Sequence, residues 1–221
     1  MEWLLSLVDV VLHLNRYLAE WTVLYGPWIY AILFVIIFAE TGLVVTPFLP
    51  GDSLLFIAGS LAALGSMDVH LLVLILFVAA VLGNTVNYEV GRFLGMKFFV
   101  DERSRWLNPH YIKRTHDFFA RWGGFAVVLA RFVPFLRTYV PFVAGLGAMS
   151  RLSYGAYTVL GAALWVGSLT YLGYFFGNMP WVKANLGLLV IAIIIVSVIP
   201  VIVGLVKARM ASAPAKSVQA R

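Results

Sequence analysis

Residues 28–64 read WIYAILFVIIFAETGLVVTPFLPGDSLLFIAGSLAAL, and the fold turns on how this stretch is placed. It follows Gly26-Pro27, a pair that favours the start of a helix. As a helix, the apolar run 28–39 rises only about 18 Å, against a bilayer hydrocarbon core of about 30 Å. Glu40-Thr41-Gly42, Thr46-Pro47 and Pro50-Gly51-Asp52 interrupt it, and a second short apolar arm follows at 53–64. Two short arms around a Pro/Gly break predict a re-entrant helical hairpin. Such irregular backbone survives at membrane depth only where protein or a wet cavity surrounds it.

Composition agrees that lipid is the solvent. The 221 residues are 62% hydrophobic and 12% charged, with mean hydropathy +0.93. A soluble domain has about 45–50% apolar and about 25% charged residues, so the excess is too large for one aqueous core. The absence of cysteine excludes a disulfide framework, a thiolate metal site and a cysteine nucleophile. His13, His70, His110 and His116 have no ligand spacing, so no metal site is expected. A cleaved leader is not expected either, because Asp9, His13 and Arg16 interrupt any apolar leader core.

Outward from the hairpin, residues 1–25 predict an amphipathic helix. Glu2, Ser6, Asp9, His13, Arg16 and Glu20 form one polar stripe at steps of three and four. A helix lying in the membrane interface fits this pattern; a first span with its stripe buried in the bundle is the alternative. Residues 26–206 read as a single membrane domain. After the hairpin at 28–64 come a span at 69–91, a polar connector at 92–122, a second Pro-broken hairpin at 123–149, and spans at 152–177 and 185–206. A basic tail at 207–221 closes the chain. The expected class is therefore an all-α polytopic membrane protein.

Charge gives the expected orientation. The connector carries seven Lys/Arg and the tail four, whereas the loop at 178–184 carries only Lys183. Basic loops stay in the cytoplasm, so the connector and C-terminus are expected there. Hairpin one then enters from outside and hairpin two from inside. The two halves also resemble each other. Phe56-Ile57-Ala58-Gly59 matches Phe142-Val143-Ala144-Gly145, and Val90-Gly91-Arg92-Phe93-Leu94-Gly95 matches Leu172-Gly173-Tyr174-Phe175-Phe176-Gly177. Opposite entry sides make these inverted repeats, an architecture that places transport sites at mid-membrane between broken elements.

Four ionisable residues flank the breaks: Glu40 and Asp52 in hairpin one, Arg131 and Arg137 around Pro134 in hairpin two. At about 2.5–3.5 kcal/mol each in a helix centre, they must pair or face water, and intramembrane charge is a functional signal by default. Two carboxylates and two guanidiniums sum to zero, which suits mutual pairing. Asp52 follows Pro-Gly, so it can also cap the second arm. Glu40 ends a helix, where the dipole disfavours a carboxylate; capping does not explain it. Pro47, Pro50, Gly51, Pro134 and Pro141 supply the breaks, and Thr41, Ser53, Asn87 and Thr138 the supporting hydrogen bonds. Asn84, Asn87, Tyr88 and Gly91 share one helix face, which reads as interhelix hydrogen bonding or part of a hydrated path. The tryptophans fall mainly near segment ends, as interfacial anchors.

The run Glu40-Thr-Gly-Leu-Val-Val-Thr-Pro-Phe-Leu-Pro-Gly-Asp-Ser-Leu-Leu-Phe56 resembles the first signature of the DedA family of bacterial inner-membrane proteins, which carry the VTT domain. Leu129-Ala-Arg-Phe-Val-Pro-Phe-Leu-Arg-Thr138, with Pro141-Phe-Val-Ala-Gly145, resembles the second. The resemblance implies roles in envelope integrity, division and resistance to cationic peptides, and dependence on the proton motive force. It also implies the return of polyprenyl phosphates such as undecaprenyl phosphate; distant eukaryotic relatives scramble phospholipids. The family's essential acidic pair falls on Glu40 and Asp52, and its essential arginines on Arg131 and Arg137. The family pattern has an aspartate where this chain has Asn84, so no proton-relay role is carried to that position.

The expected function is a lipid transporter of flippase or scramblase type, moving a phosphate-bearing lipid under the influence of protons. Arg131 and Arg137 hold the phosphate, for which a guanidinium fork is matched, and Glu40 and Asp52 couple protons. Its partners are membrane lipids (polyprenyl phosphate or phospholipid) and protons, with no nucleic acid, and with a homo-oligomer left open. A proton-coupled antiporter for a small cation or drug, and a non-transporting organiser of envelope enzymes, are the alternatives. With no nucleophile elbow, histidine cluster or ligand spacing, neither enzyme activity nor a cofactor is expected.

Overall fold

The structure is a computed structural model that describes residues 14–43, 51–99, 123–177 and 179–180. Residues 1–13, Pro47, Pro50, most of the 92–122 connector, the expected span at 185–206 and the tail lie outside the described residues. Every regular element among the described residues is helical. In chain order these are α1 (Leu14–Tyr25), a 3-10 turn (Gly26–Trp28), α2 (Ile29–Gly42), α3 (Gly51–Ala63), α4 (Val69–Phe99), α5 (Phe125–Ala130), α6 (Pro134–Leu146) and α7 (Arg151–Gly177).

Three stretches are long and apolar enough to cross a membrane: Glu20–Gly42, Val69–Leu94 and Arg151–Gly177. The first is longer than the twelve-residue arm read from sequence, because helical structure resumes on either side of Gly26-Pro27. It is not one straight rod. Gly26 sits at φ +50°, a left-handed conformation open to glycine, and it turns the chain between α1 and α2. Leu18 of α1 is buried while Val23, Leu24 and Trp28 at the turn are largely exposed.

Helix α4 also exceeds its expected end at residue 91, running to Phe99. Gly91 and Gly95 cost helix stability, yet nothing after them stops the pattern before residue 99, and Phe93 is exposed. The start of α4 is capped by Asp68, whose Oδ1 accepts the Leu71 N–H at 2.8 Å. The Asp68 N–H in turn donates to the Tyr30 hydroxyl at 2.8 Å. The beginning of α2 and the turn after α3 therefore lie at one level. The α2–α3 break lies deeper, where Gly42 approaches Gly83, about 21 Å along α4 from Val69.

The second broken segment comprises α5 and α6. Its break falls at Arg131–Val133, and α6 restarts with Pro134 at its first position. Its outer end lies at the opposite end of α4, where Tyr88 hydroxyl donates to the Met149 carbonyl. Nearby, Arg151 makes an exposed two-pronged ion pair with Glu89 at 2.7 and 2.9 Å.

The packing is crossed. The first arm of each hairpin lies on the long helix of its own half: α2 on α4, and α5 on α7. The second arms exchange, with α3 on α7 and α6 on α4. The four glycines of the matched sequence stretches make this possible. A Cβ on Gly59 would stand 2.1 Å from the Thr170 carbonyl oxygen, and one on Gly173 would stand 2.0 Å from that of Phe56. In the other half, Gly145 meets the Tyr88 carbonyl at 2.0 Å and Gly91 that of Phe142 at 2.1 Å. Small residues of this kind let membrane helices associate by backbone contact, where no hydrophobic force draws them together.

Candidate functional site

Both hairpin breaks deliver their charges to one place. Glu40, in the last turn of α2, is 1% exposed. Its Oε1 accepts the Gly51 N–H at 3.2 Å, so it neutralises the positive end of the next helix, α3. Capping therefore explains part of Glu40 after all, through the neighbouring arm rather than its own. A Cβ on Gly51 would lie 1.9 Å from Glu40 Oε2, so a larger residue there would displace the Glu40 carboxylate.

Arg137, in the first turn of α6, joins the hairpins. Its Nη2 donates to Glu40 Oε1 and its Nη1 to Asp52 Oδ1, the latter at 2.6 Å. The indole N–H of Trp165 donates to the same Asp52 oxygen at 2.9 Å. The Arg137 guanidinium also stands over the Trp165 ring, 5.3 Å from its centroid. Asp52 is thus held by side chains from two other helices. Its side chain keeps 18% exposure against none for Glu40, so the cluster opens on the Asp52 side.

Arg131 departs from the expected two-by-two pairing. It is 4% exposed, and its Nη2 donates to the Thr158 carbonyl at 3.1 Å. Among the described residues no carboxylate faces it, and its Nε has no hydrogen-bond partner. The reason is steric: α5 lies on α7, where Gly161 leaves room for the Arg131 stem, while α2 and α3 direct both carboxylates to Arg137. The result is one guanidinium shared by two carboxylates beside a second guanidinium with none.

The supporting residues surround this centre. The Asn87 amide donates to the Thr41 carbonyl at 3.2 Å and the Thr138 carbonyl at 2.9 Å. It ties the end of α2 to α6 close to Pro141, which deprives the Arg137 carbonyl of its helical N–H. The Thr41 hydroxyl bonds back to the Ile37 carbonyl at 2.8 Å. Ser53 Oγ, Thr138 Oγ1, Asn84 Oδ1, Asn87 Oδ1 and Glu40 Oε2 are buried with no partner among the described residues. Buried polar atoms are normally satisfied, so this group has hydrogen-bonding capacity to spare.

Sequence reading missed Trp165 and Tyr154. Trp165 is not an interfacial anchor like most of the tryptophans: it is 1% exposed in the middle of α7. Its position among Ala162, Ala163, Val166 and Gly167, far from either helix end, was the available signal. Tyr154 donates its hydroxyl to the Asn84 carbonyl at 2.9 Å and stacks on Tyr88, with centroids 4.2 Å apart.

These features define an α-helical membrane protein whose two broken hairpins share a buried ionic centre. A VTT domain matches residues 49–175. The chain is 49% identical over 217 residues to "Protein DedA" of Escherichia coli K12, covering 97% of this chain and 99% of that one. It is 41% identical over 152 residues to "Inner membrane protein YqjA" of the same organism, covering 69% of each. An uncharacterized membrane protein of Mycobacterium leprae is 44% identical over 169 residues, 76% of each chain. The chain belongs to the DedA family of VTT-domain membrane proteins. No solved structure matches it significantly.

Proposed function

We propose that the chain moves a phosphate-bearing lipid across the bacterial inner membrane, with undecaprenyl phosphate as substrate and protons influencing the movement. The observation that carries this reading is the ionic centre itself: Arg137 bridges Glu40 and Asp52 across the two breaks, and Arg131 stands buried nearby with no carboxylate partner among the described residues. A phosphate offers Arg131 the anion it lacks, and competes with the carboxylates for Arg137. Protonating a carboxylate loosens its hold on Arg137 and favours phosphate; deprotonation favours release. The spare acceptors and hydroxyls around the centre accommodate a hydrated headgroup while the hydrocarbon tail stays in lipid.

In this reading the hairpins are re-entrant and the halves are inverted repeats. The crossed packing of α3 on α7 and α6 on α4, at glycines that match in sequence, supports that symmetry. The connector side is cytoplasmic, so hairpin one opens outward and hairpin two inward. Two of these relatives are named as membrane proteins, one of them of the inner membrane.

The test is transbilayer movement of undecaprenyl phosphate in vesicles containing the purified protein, with and without a pH gradient. Movement that disappears in Arg131→Ala and Arg137→Ala, with both variants folded, is the expected result. Movement at the wild-type rate in either arginine variant would sink the phosphate-binding role.

A further inference from the structure

A groove of about 330 Å³ runs between α4 and α7, outside the ionic centre. Val73, Leu74 and Phe77 line one wall, and Ala163 and Gly167 the other. At one end His70 Nδ1 and the Tyr171 hydroxyl lie 2.9 Å apart, both groups reachable by solvent. The neighbouring carboxylate, Asp68, is occupied in capping α4. The groove is apolar along its length and polar only at this tip.

Three observations identify its occupant. First, the groove lies on the outer surface of two membrane-crossing helices, flanked by the exposed side chains of Leu71, Val78, Leu160 and Leu164. Second, its polar tip is at the start of α4 and near the end of α7, one face of the membrane, and from there it descends about 10–12 Å toward the middle. A lipid in that leaflet has this polarity and direction, with the headgroup at the face and the chain pointing inward. Third, on its α7 wall the groove reaches the level of Trp165, a residue of the ionic centre. Ala163 and Gly167 bracket Trp165, which projects from the opposite face of α7 to hold Asp52.

We infer that this groove seats a hydrocarbon chain of the transported lipid, with its headgroup at His70 and Tyr171, as a station between the leaflet and the ionic centre. The inference rests on the lipid-transport reading. It puts the tail on the seam where the two halves meet.

Gly167 provides the test. A Cβ there meets nothing within 4 Å, so a larger side chain starts in open space on the groove wall. Gly155, on the same helix but away from the groove, is equally unobstructed and serves as control. The protein is placed in phosphatidylglycerol vesicles containing a trace of a polyprenyl phosphate with a photoreactive chain, and adducts are mapped after illumination. Undecaprenyl phosphate movement is followed in parallel. Gly167→Leu is expected to lose labelling within 163–171 and to slow movement, and Gly155→Leu to change neither. Labelling that survives Gly167→Leu overturns the chain site. Labelling lost with movement undiminished overturns its place on the route. Failure of the transport reading is separate, since it appears as movement that ignores Arg131→Ala and Arg137→Ala.

Discussion

Arg137 holds two carboxylates and rests on an indole, so removing it strands the buried Glu40 and the partly exposed Asp52. Breaking such a pair costs about 3–5 kcal/mol, and Arg137→Ala is expected to lower the melting temperature in detergent well below that of Arg131→Ala. Equal losses would mean that Arg131 is as firmly neutralised as Arg137. Glu40→Gln keeps an acceptor for the Gly51 N–H but cannot carry charge. Wild-type transport is expected to rise as pH falls on the side that reaches the centre, because protonation releases Arg137. The Gln variant is expected to give a flat profile, and a wild-type profile in that variant would remove Glu40 from proton coupling. That Glu40, Asp52, Arg131 and Arg137 call for an explanation is legible because charge is costly inside a bilayer. Who pairs with whom was not legible. The sequence offers two acids and two bases, and only the placement of α5 on α7 separates Arg131 from both acids.

At the scale of elements, the close glycine contacts make a directional expectation. Gly173→Ala sets a methyl 2.0 Å from the Phe56 carbonyl, and Gly145→Ala one 2.0 Å from that of Tyr88. Each is expected to destabilise by about 1–3 kcal/mol, the usual cost of overpacking, measured by thermal unfolding in detergent. Gly155→Ala, with nothing nearby, is expected to leave stability unchanged or slightly raised. If Gly173→Ala unfolded like wild type, α3 and α7 would not be in backbone contact. The sequence showed these glycines as a repeated pattern, but a pattern on one helix does not name its partner. Helix ends were less legible. Local propensity at Gly91 and Gly95 argues for a stop that α4 overrides, and Gly26-Pro27 marks a turn within helical structure as well as a helix start.

For the whole molecule, charge distribution and packing make a joint expectation about sidedness. Because the chain contains no cysteine, single cysteines at exposed Ser66 and Ser150 can be labelled without background. With a membrane-impermeant reagent on intact spheroplasts, Ser66→Cys is expected to react and Ser150→Cys to react only after lysis. Reaction of both before lysis would refute opposite placement of the two hairpins. The class of protein was legible from hydropathy and from the Pro/Gly breaks, which are local properties. The exchange of arms was hidden, because its contacts join residues far apart in the chain, such as Phe56 with Gly173 and Tyr88 with Gly145.

That exchange has a consequence for how the protein is made. When residues 1–99 have left the ribosome, α3 has no α7 to lie on, and Glu40 and Asp52 have no Arg137. The first half must wait at the insertion machinery, half assembled and negatively charged, until the second is synthesised. A chain that stops before α6 is then a substrate for membrane proteolysis rather than a stable fragment, and supplying the two halves as separate polypeptides should rescue both from degradation.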